Sequence, residues 1–133
     1  MIEPLCVIMQ LAIPVFVVFD GDDSPEQAKS RSTHERDNLA LLRILGSKDA
    51  AAFPKEPLWE ESFVQWPNRL SVSVQAEIGT GLWAECCESA SAEWGHAGNL
   101  RKNPLHIGSA LRLAWDRGAR STTLARVCDR ILA

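Results

Sequence analysis

Three aspartates lie together near the start of the chain, directly after an apolar run. Asp20 and Asp22 are separated by Gly21 and followed by Asp23, and we call residues 20–23 the acidic turn. Two carboxylates at this spacing, joined by a residue that lets the backbone turn sharply, can offer oxygen ligands to one Mg²⁺ or Mn²⁺ ion. Asp and Gly are also common where a strand ends in a solvated turn, so these residues alone favour the two interpretations about equally.

The element that positions the acidic turn is predicted to be a buried strand. The run from Val15 to Phe19 is too short and too rich in Val and Phe for a helix. Its uniform apolarity predicts a central, parallel strand that is covered on both faces. Ligands in open α/β sheets lie beyond the carboxyl ends of the strands, so this strand would deliver Asp20 and Asp22 to the usual place for a site.

Length and composition indicate an ordinary globular protein. The chain has 133 residues and a net charge of -3, which predicts one domain and excludes binding of nucleic acid by a basic stripe alone. The apolar segment from Ile2 to Ala12 carries Glu3 and is too short to span a bilayer, so we expect a short helix and no membrane partner. Four cysteines without a disulfide pattern predict a cytoplasmic protein, with Cys6 and Cys128 as small core residues.

The rest of the chain is predicted to be mostly helical. Thr33 is expected to cap a helix from His34 to Leu45 that ends at Gly46, and Asn68 to cap a helix that ends before Gly79. A second short strand is predicted over 62–66. Further helices are predicted over 82–94 and 105–117 and after Ser121. The fold class is therefore α/β, a parallel sheet flanked by helices with a helix-rich C-terminal half.

The order of these features resembles one known family. A strand, the Asp20-Gly21-Asp22 motif, a long polar loop, a helix with Asn38 and a terminal Leu-Gly, an aromatic strand and a loop containing Lys102 follow one another. In this order they resemble the C-terminal Toprim (topoisomerase and primase type) domain of OLD-family (overcoming lysogenization defect) nucleases. The resemblance runs from about Leu11 to the C-terminus, and the Asp-x-Asp motif is its most specific part.

The resemblance implies a Rossmann-like scaffold that binds divalent metal and cleaves phosphodiester bonds of DNA. Asp20 and Asp22 would hold Mg²⁺ or Mn²⁺, and Lys102 would stabilise charge on the scissile phosphate. Such domains also carry a glutamate on a first strand, which this chain lacks because Glu3 precedes Pro4 and lies in a different element. We therefore expect one domain truncated at its N-terminus, which is inactive or receives its glutamate from a partner domain or chain.

Two other functions compete with this interpretation. The segment from Val17 to Ser24 approaches the Asp-x-Asp motif of haloacid-dehalogenase-like phosphatases, in which Asp20 would be the nucleophile and Asp22 the acid/base, although Ser24 departs from that motif. The third hypothesis is a non-catalytic remnant or interaction module, in which the acidic turn is only a turn.

Overall fold

The computed structural model describes residues 2–23, 29–94 and 103–133. The chain divides into two compact units, the first formed by Met1–Leu70 with Arg130–Ala133 and the second by Ser71–Asp129. The strands of the described residues all lie in the first unit. The expectation of one N-terminally truncated domain stays a prediction.

A small mixed sheet forms the centre of the first unit. Its strands are β1 (Val17–Asp20), β2 (Leu58–Trp59) and β3 (Phe63–Trp66), in the order β1-β3-β2. β1 pairs in parallel with β3, so that Asp20 lies opposite Trp66, and β2 pairs with β3 in the antiparallel sense. The predicted α/β class, with a parallel strand pair and a second strand near residues 62–66, is confirmed.

The central strand of this sheet is β3, so the prediction that β1 is central was wrong. Every residue of β3 is buried, including Gln65 at 0% exposure, whereas only Val17 and Phe19 are buried in β1. Gln65 is accommodated because its Nε2 donates a hydrogen bond of 2.7 Å to the Ala52 carbonyl. The apolar composition of β1 favoured it over β3 as the central strand. A polar residue such as Gln65 lowers the apolar content of a strand even when its side chain is buried and hydrogen-bonded to the backbone.

Two helices pack on this sheet, α1 (Ile2–Gln10) and α2 (Arg31–Ile44). The short helix before the strand is confirmed. α2 begins at Arg31 rather than His34, with Ser30 instead of Thr33 at its N-cap position, and Gly46 follows its end with a φ of 84°. The core of the unit is formed by leucines of both helices and apolar residues of β1 and β3. Its buried side chains are Leu5, Val17, Phe19, Leu41, Leu42 and Phe63.

The C-terminal half is rich in helices, as predicted. The helices are α3 (Leu70–Ile78), α4 (Thr80–Trp94), α5 (Pro104–Asp116) and α6 (Thr122–Leu132). Ser121 caps α6 as expected, because its Oγ accepts a hydrogen bond of 3.0 Å from the Leu124 N–H. Cys128 is exposed and Cys6 is half-buried, so the assignment of Cys128 to the core was wrong: Val127 is the buried residue of α6.

The start of α3 differs from the prediction. Asn68 does not cap this helix, since its Oδ1 is buried without a hydrogen-bond partner. The N–H of Leu70 donates instead to Asp20, which belongs to the acidic turn. Within the ranges that the structure describes, no helix is both long and apolar enough to cross a bilayer.

Candidate functional site

Asp20 and Asp22 line the same cleft, which lies within the first unit. The cleft has a volume of about 760 Å³ and is bounded by the N-terminal end of α1, the end of β1, one face of α2 and Leu70. Its polar lining includes the carboxylates of Asp20, Asp22, Glu3 and Asp37. Because carboxylates outnumber cationic groups along its walls, the cleft favours cations over anions.

Gly21 allows the chain to leave β1 against the end of β3. Its N–H donates to the Trp66 carbonyl at 2.7 Å, and a Cβ at this position would lie only 2.7 Å from the carbonyl oxygens of Trp66 and Pro67. Asp22 continues along the same path, with its N–H 3.3 Å from the Asn68 carbonyl and with a positive φ of 55°. Close backbone packing therefore requires glycine between the two aspartates.

Asp20 is an incompletely compensated anion. Partial burial of its carboxyl raises its pKa, the hydrogen bond of 2.8 Å from the Leu70 N–H to Oδ1 lowers it, the nearby Asp22 raises it and Arg69 lowers it. The net result is a pKa above the ordinary value for aspartate. A cation bound beside Asp20 would favour its charged form.

Asp22 lies between the side chains of His34 and Arg69, at distances too long for hydrogen bonds. His34 Nδ1 is 3.7 Å from Oδ2, and Arg69 Nε is 3.7 Å from Oδ1. Asp23 differs, because its carboxylate forms an ion pair with Arg31 and does not line the cleft. The acidic turn thus contributes two carboxylates to the cleft and uses the third to hold the start of α2.

Part of the cleft lining was not predicted from the sequence. Glu3 was set aside because it lies in a different element from the strand, yet α1 brings it to the same cleft as Asp20. His34, Asp37 and Asn38 also line the cleft from α2. Their spacing places them on one face of a helix that starts just after the acidic turn, and this signal could have found them.

The residues of the cleft suit Mg²⁺, although they form no dense ligand cluster. Across the described residues there is no group of three or more His, Cys, Asp or Glu side chains that could hold a metal ion. Mg²⁺ usually takes one or two protein carboxylates and keeps several waters, and Asp20 and Asp22 would be the residues that hold it. Lys102 lies outside the described residues, and its predicted role stays a prediction.

Comparison of the chain with protein-family models, with curated proteins and with solved structures finds no match. The likeness to Toprim domains therefore depends on the order of motifs in the sequence.

Proposed function

We propose that this chain is a Toprim-like domain whose acidic turn binds Mg²⁺ or Mn²⁺ and whose substrate is a phosphodiester bond of DNA. The observation that carries the proposal is the convergence of Asp20 and Asp22 on one anionic cleft, at the carboxyl end of a parallel strand pair. Ligand sites in α/β sheets lie at this end of the strands. A cytoplasmic location is part of the same proposal, since four free cysteines suit a reducing compartment.

Each residue of the site has a defined part in this proposal. Asp20 and Asp22 would hold the cation, which supplies charge stabilisation at a phosphoryl oxygen when it is bound. Gly21 lets the backbone pack closely between the two aspartates, so that both line the cleft. Lys102 would add positive charge for the phosphate, as the family resemblance implies.

A glutamate is the remaining requirement that the resemblance implies. We propose that a partner domain or chain supplies it, and that this chain alone binds metal with little or no cleavage. Glu3 lines the cleft from α1. The Glu3→Gln variant therefore tests whether this carboxylate, rather than a glutamate of a partner, takes part in cleavage. A loss of residual cleavage in Glu3→Gln would make the partner unnecessary.

The experiment is nicking of supercoiled plasmid in the presence of Mg²⁺ or Mn²⁺. We expect any nicking by the wild-type chain to disappear in Asp20→Ala and to persist in Asp23→Asn, because Asp23 belongs to the same turn but lies outside the cleft lining. Nicking that survives Asp20→Ala would overturn the assignment of the activity to this cleft.

A non-catalytic interaction module is the second candidate, and one observation favours it. Asp22 lies 3.7 Å from both His34 and Arg69, and Asp20 accepts a hydrogen bond from Leu70, so both carboxylates have partners within the protein. In this case Mg²⁺ would not raise the unfolding temperature, because a ligand stabilises a protein only by binding its folded state. The phosphatase alternative gains no such support, since Ser24 lies outside the described residues.

A further inference from the structure

Asn38 is a buried polar residue whose two side-chain donors are both used. It lies on α2 with 5% of its surface exposed. Its Nδ2 donates to the carbonyl oxygens of Gly21 and Ala52, each at 3.0 Å. Since both neighbours are acceptors only, the amide nitrogen and not the amide oxygen must face them. The orientation of the Asn38 side chain is therefore fixed by chemistry as well as by packing.

Besides the ion pair of Arg31 with Asp23, α2 holds the acidic turn at the Gly21 carbonyl. The Gly21 N–H is bound to the Trp66 carbonyl of β3, and the Gly21 carbonyl is bound to Asn38 of α2. The residue between Asp20 and Asp22 is thus held on one side by the sheet and on the other by the helix. Fixing this residue restricts the backbone on which both carboxylates are carried.

We propose that Asn38 is the positioning residue of the acidic turn: its side-chain amide fixes the Gly21 carbonyl and thereby the separation of the Asp20 and Asp22 carboxylates. The consequence for metal binding rests on the proposed function. A site whose ligands are held in place loses less conformational freedom on binding than one whose ligands must first be ordered. Removing Asn38 should therefore loosen the turn and weaken metal binding.

Gln65 provides a matched control for this proposal. Its Nε2 donates to the same Ala52 carbonyl as Asn38, and its side chain is fully buried, but it makes no bond to Gly21. Gln65→Met removes that hydrogen bond at similar volume. Both Asn38→Ala and Gln65→Met are expected to reduce stability, while Asn38→Ala alone releases the turn.

The first test is amide hydrogen exchange of the full chain, measured by NMR. The two variants are compared under conditions in which their free energies of global unfolding are equal. Under these conditions, the amides of Gly21, Asp22 and Asp23 should exchange about tenfold faster in Asn38→Ala than in Gln65→Met, as expected for losing a buried hydrogen bond. Equal exchange at these amides in the two variants would overturn the proposal.

A second measurement needs no variant and so does not depend on the folding of Asn38→Ala. In the wild-type chain, both side-chain amide protons of Asn38 should exchange far more slowly than those of an exposed asparagine. Exchange at the rate of an exposed asparagine would overturn the proposal, because it would mean that the two bonds to Gly21 and Ala52 do not persist.

The third measurement is Mn²⁺ binding by titration calorimetry. Asn38→Ala should weaken Mn²⁺ binding by about tenfold and Gln65→Met by less than about twofold, because preorganisation is lost only in the first. Equal weakening in both variants would overturn the link between Asn38 and the metal site. A wild-type chain that binds no Mn²⁺ would overturn the proposed function, whereas the exchange measurements would still decide whether Asn38 holds the turn.

Discussion

Two carboxylates in different units of the molecule have opposite surroundings. Glu77, in the second unit, accepts hydrogen bonds from the hydroxyls of Ser121, Thr122 and Thr123 and from the Thr123 N–H. Desolvation opposes its charge, but these bonds together outweigh it and lower the pKa of Glu77 to about 2. Asp20 accepts one hydrogen bond, from a backbone N–H, and burial leaves its pKa raised.

The difference separates a carboxylate whose charge the protein satisfies internally from one whose charge it does not. The donors around Glu77 satisfy its charge within the protein, so this residue serves to hold the N-terminal end of α6. The charge of Asp20 is not satisfied in this way, and Asp22 adds a second negative charge beside it. A cation would bind beside an incompletely compensated carboxylate that lies in a cleft with a second carboxylate, and Glu77 does not meet that description.

The largest expected effect tests how tightly the backbone of the acidic turn is packed. Gly21→Ala places a Cβ 2.7 Å from two backbone carbonyl oxygens, so we expect a loss of about 1–3 kcal/mol in the free energy of unfolding, measured in urea. Gly108→Ala is the control, since its Cβ would meet nothing within 4 Å inside α5. It should stabilise the protein by up to about 1 kcal/mol. A neutral Gly21→Ala would contradict the close packing of the turn.

The next effect tests the satisfied carboxylate. Glu77→Gln should lower the free energy of unfolding by about 1–2 kcal/mol at pH 6, because an exposed amide cannot replace the charged acceptor. The pKa of Glu77 is lower in the folded protein than its ordinary value, so its stabilisation is present above about pH 4.5 and is lost as the pH falls towards about 2. The difference between wild type and Glu77→Gln should therefore shrink over this range. If the difference in free energy of unfolding between wild type and Glu77→Gln did not change with pH, the charge of Glu77 would not be the source of its stabilisation.

Glu85→Gln is the matched control for that measurement. Glu85 forms a surface ion pair of 2.9 Å with Arg117, and both side chains are substantially exposed. Its removal should change the free energy of unfolding by less than about 0.5 kcal/mol, since exposed ion pairs contribute little. If Glu85→Gln lowered the free energy of unfolding as much as Glu77→Gln, the hydrogen bonds from the hydroxyls to Glu77 would contribute no more stability than an exposed ion pair.

The smallest effect tests the unsatisfied carboxylate and has the opposite sign. The raised pKa of Asp20 means that its charge disfavours the folded state above that pKa, and that this penalty disappears as the pH falls below the ordinary value. Asp20→Asn keeps an oxygen for the Leu70 N–H, so in metal-free buffer at pH 7 it should raise the unfolding midpoint slightly. The gain should be under about 0.5 kcal/mol because the carboxyl is only partly buried and solvent still screens its charge. A clear loss of stability would contradict the comparison with Glu77.

Sequence patterns predicted the elements better than the contacts between them. Glycines end α2 and α3, and Ser121 caps α6, as the sequence predicted. These features act within a few residues of their position, so a local pattern is enough to predict them. The central strand was misassigned because Gln65 is polar, although its bond to Ala52 makes burial possible. Such contacts join residues that are distant in the sequence, and no local pattern reports them.

The candidate site was predicted in part, for the same reason. Asp20 and Asp22 stand out because they are close in sequence and follow an apolar run. Glu3 reaches the same cleft only through the packing of α1, so no pattern near the acidic turn indicated it, whereas the helical spacing of His34, Asp37 and Asn38 was a usable signal. The Leu70 bond to Asp20, across 50 residues, likewise follows from the tertiary fold.

The most direct test of the account is metal-dependent thermal unfolding of the wild-type chain, Asp20→Asn, Asp22→Asn and Glu77→Gln. We predict that Mg²⁺ or Mn²⁺ at ten times its Kd stabilises the wild type and Glu77→Gln by about 1.4 kcal/mol, and neither aspartate variant. The account would be contradicted if the wild type gains no stability from either metal, or if the gain is unchanged in both Asp20→Asn and Asp22→Asn.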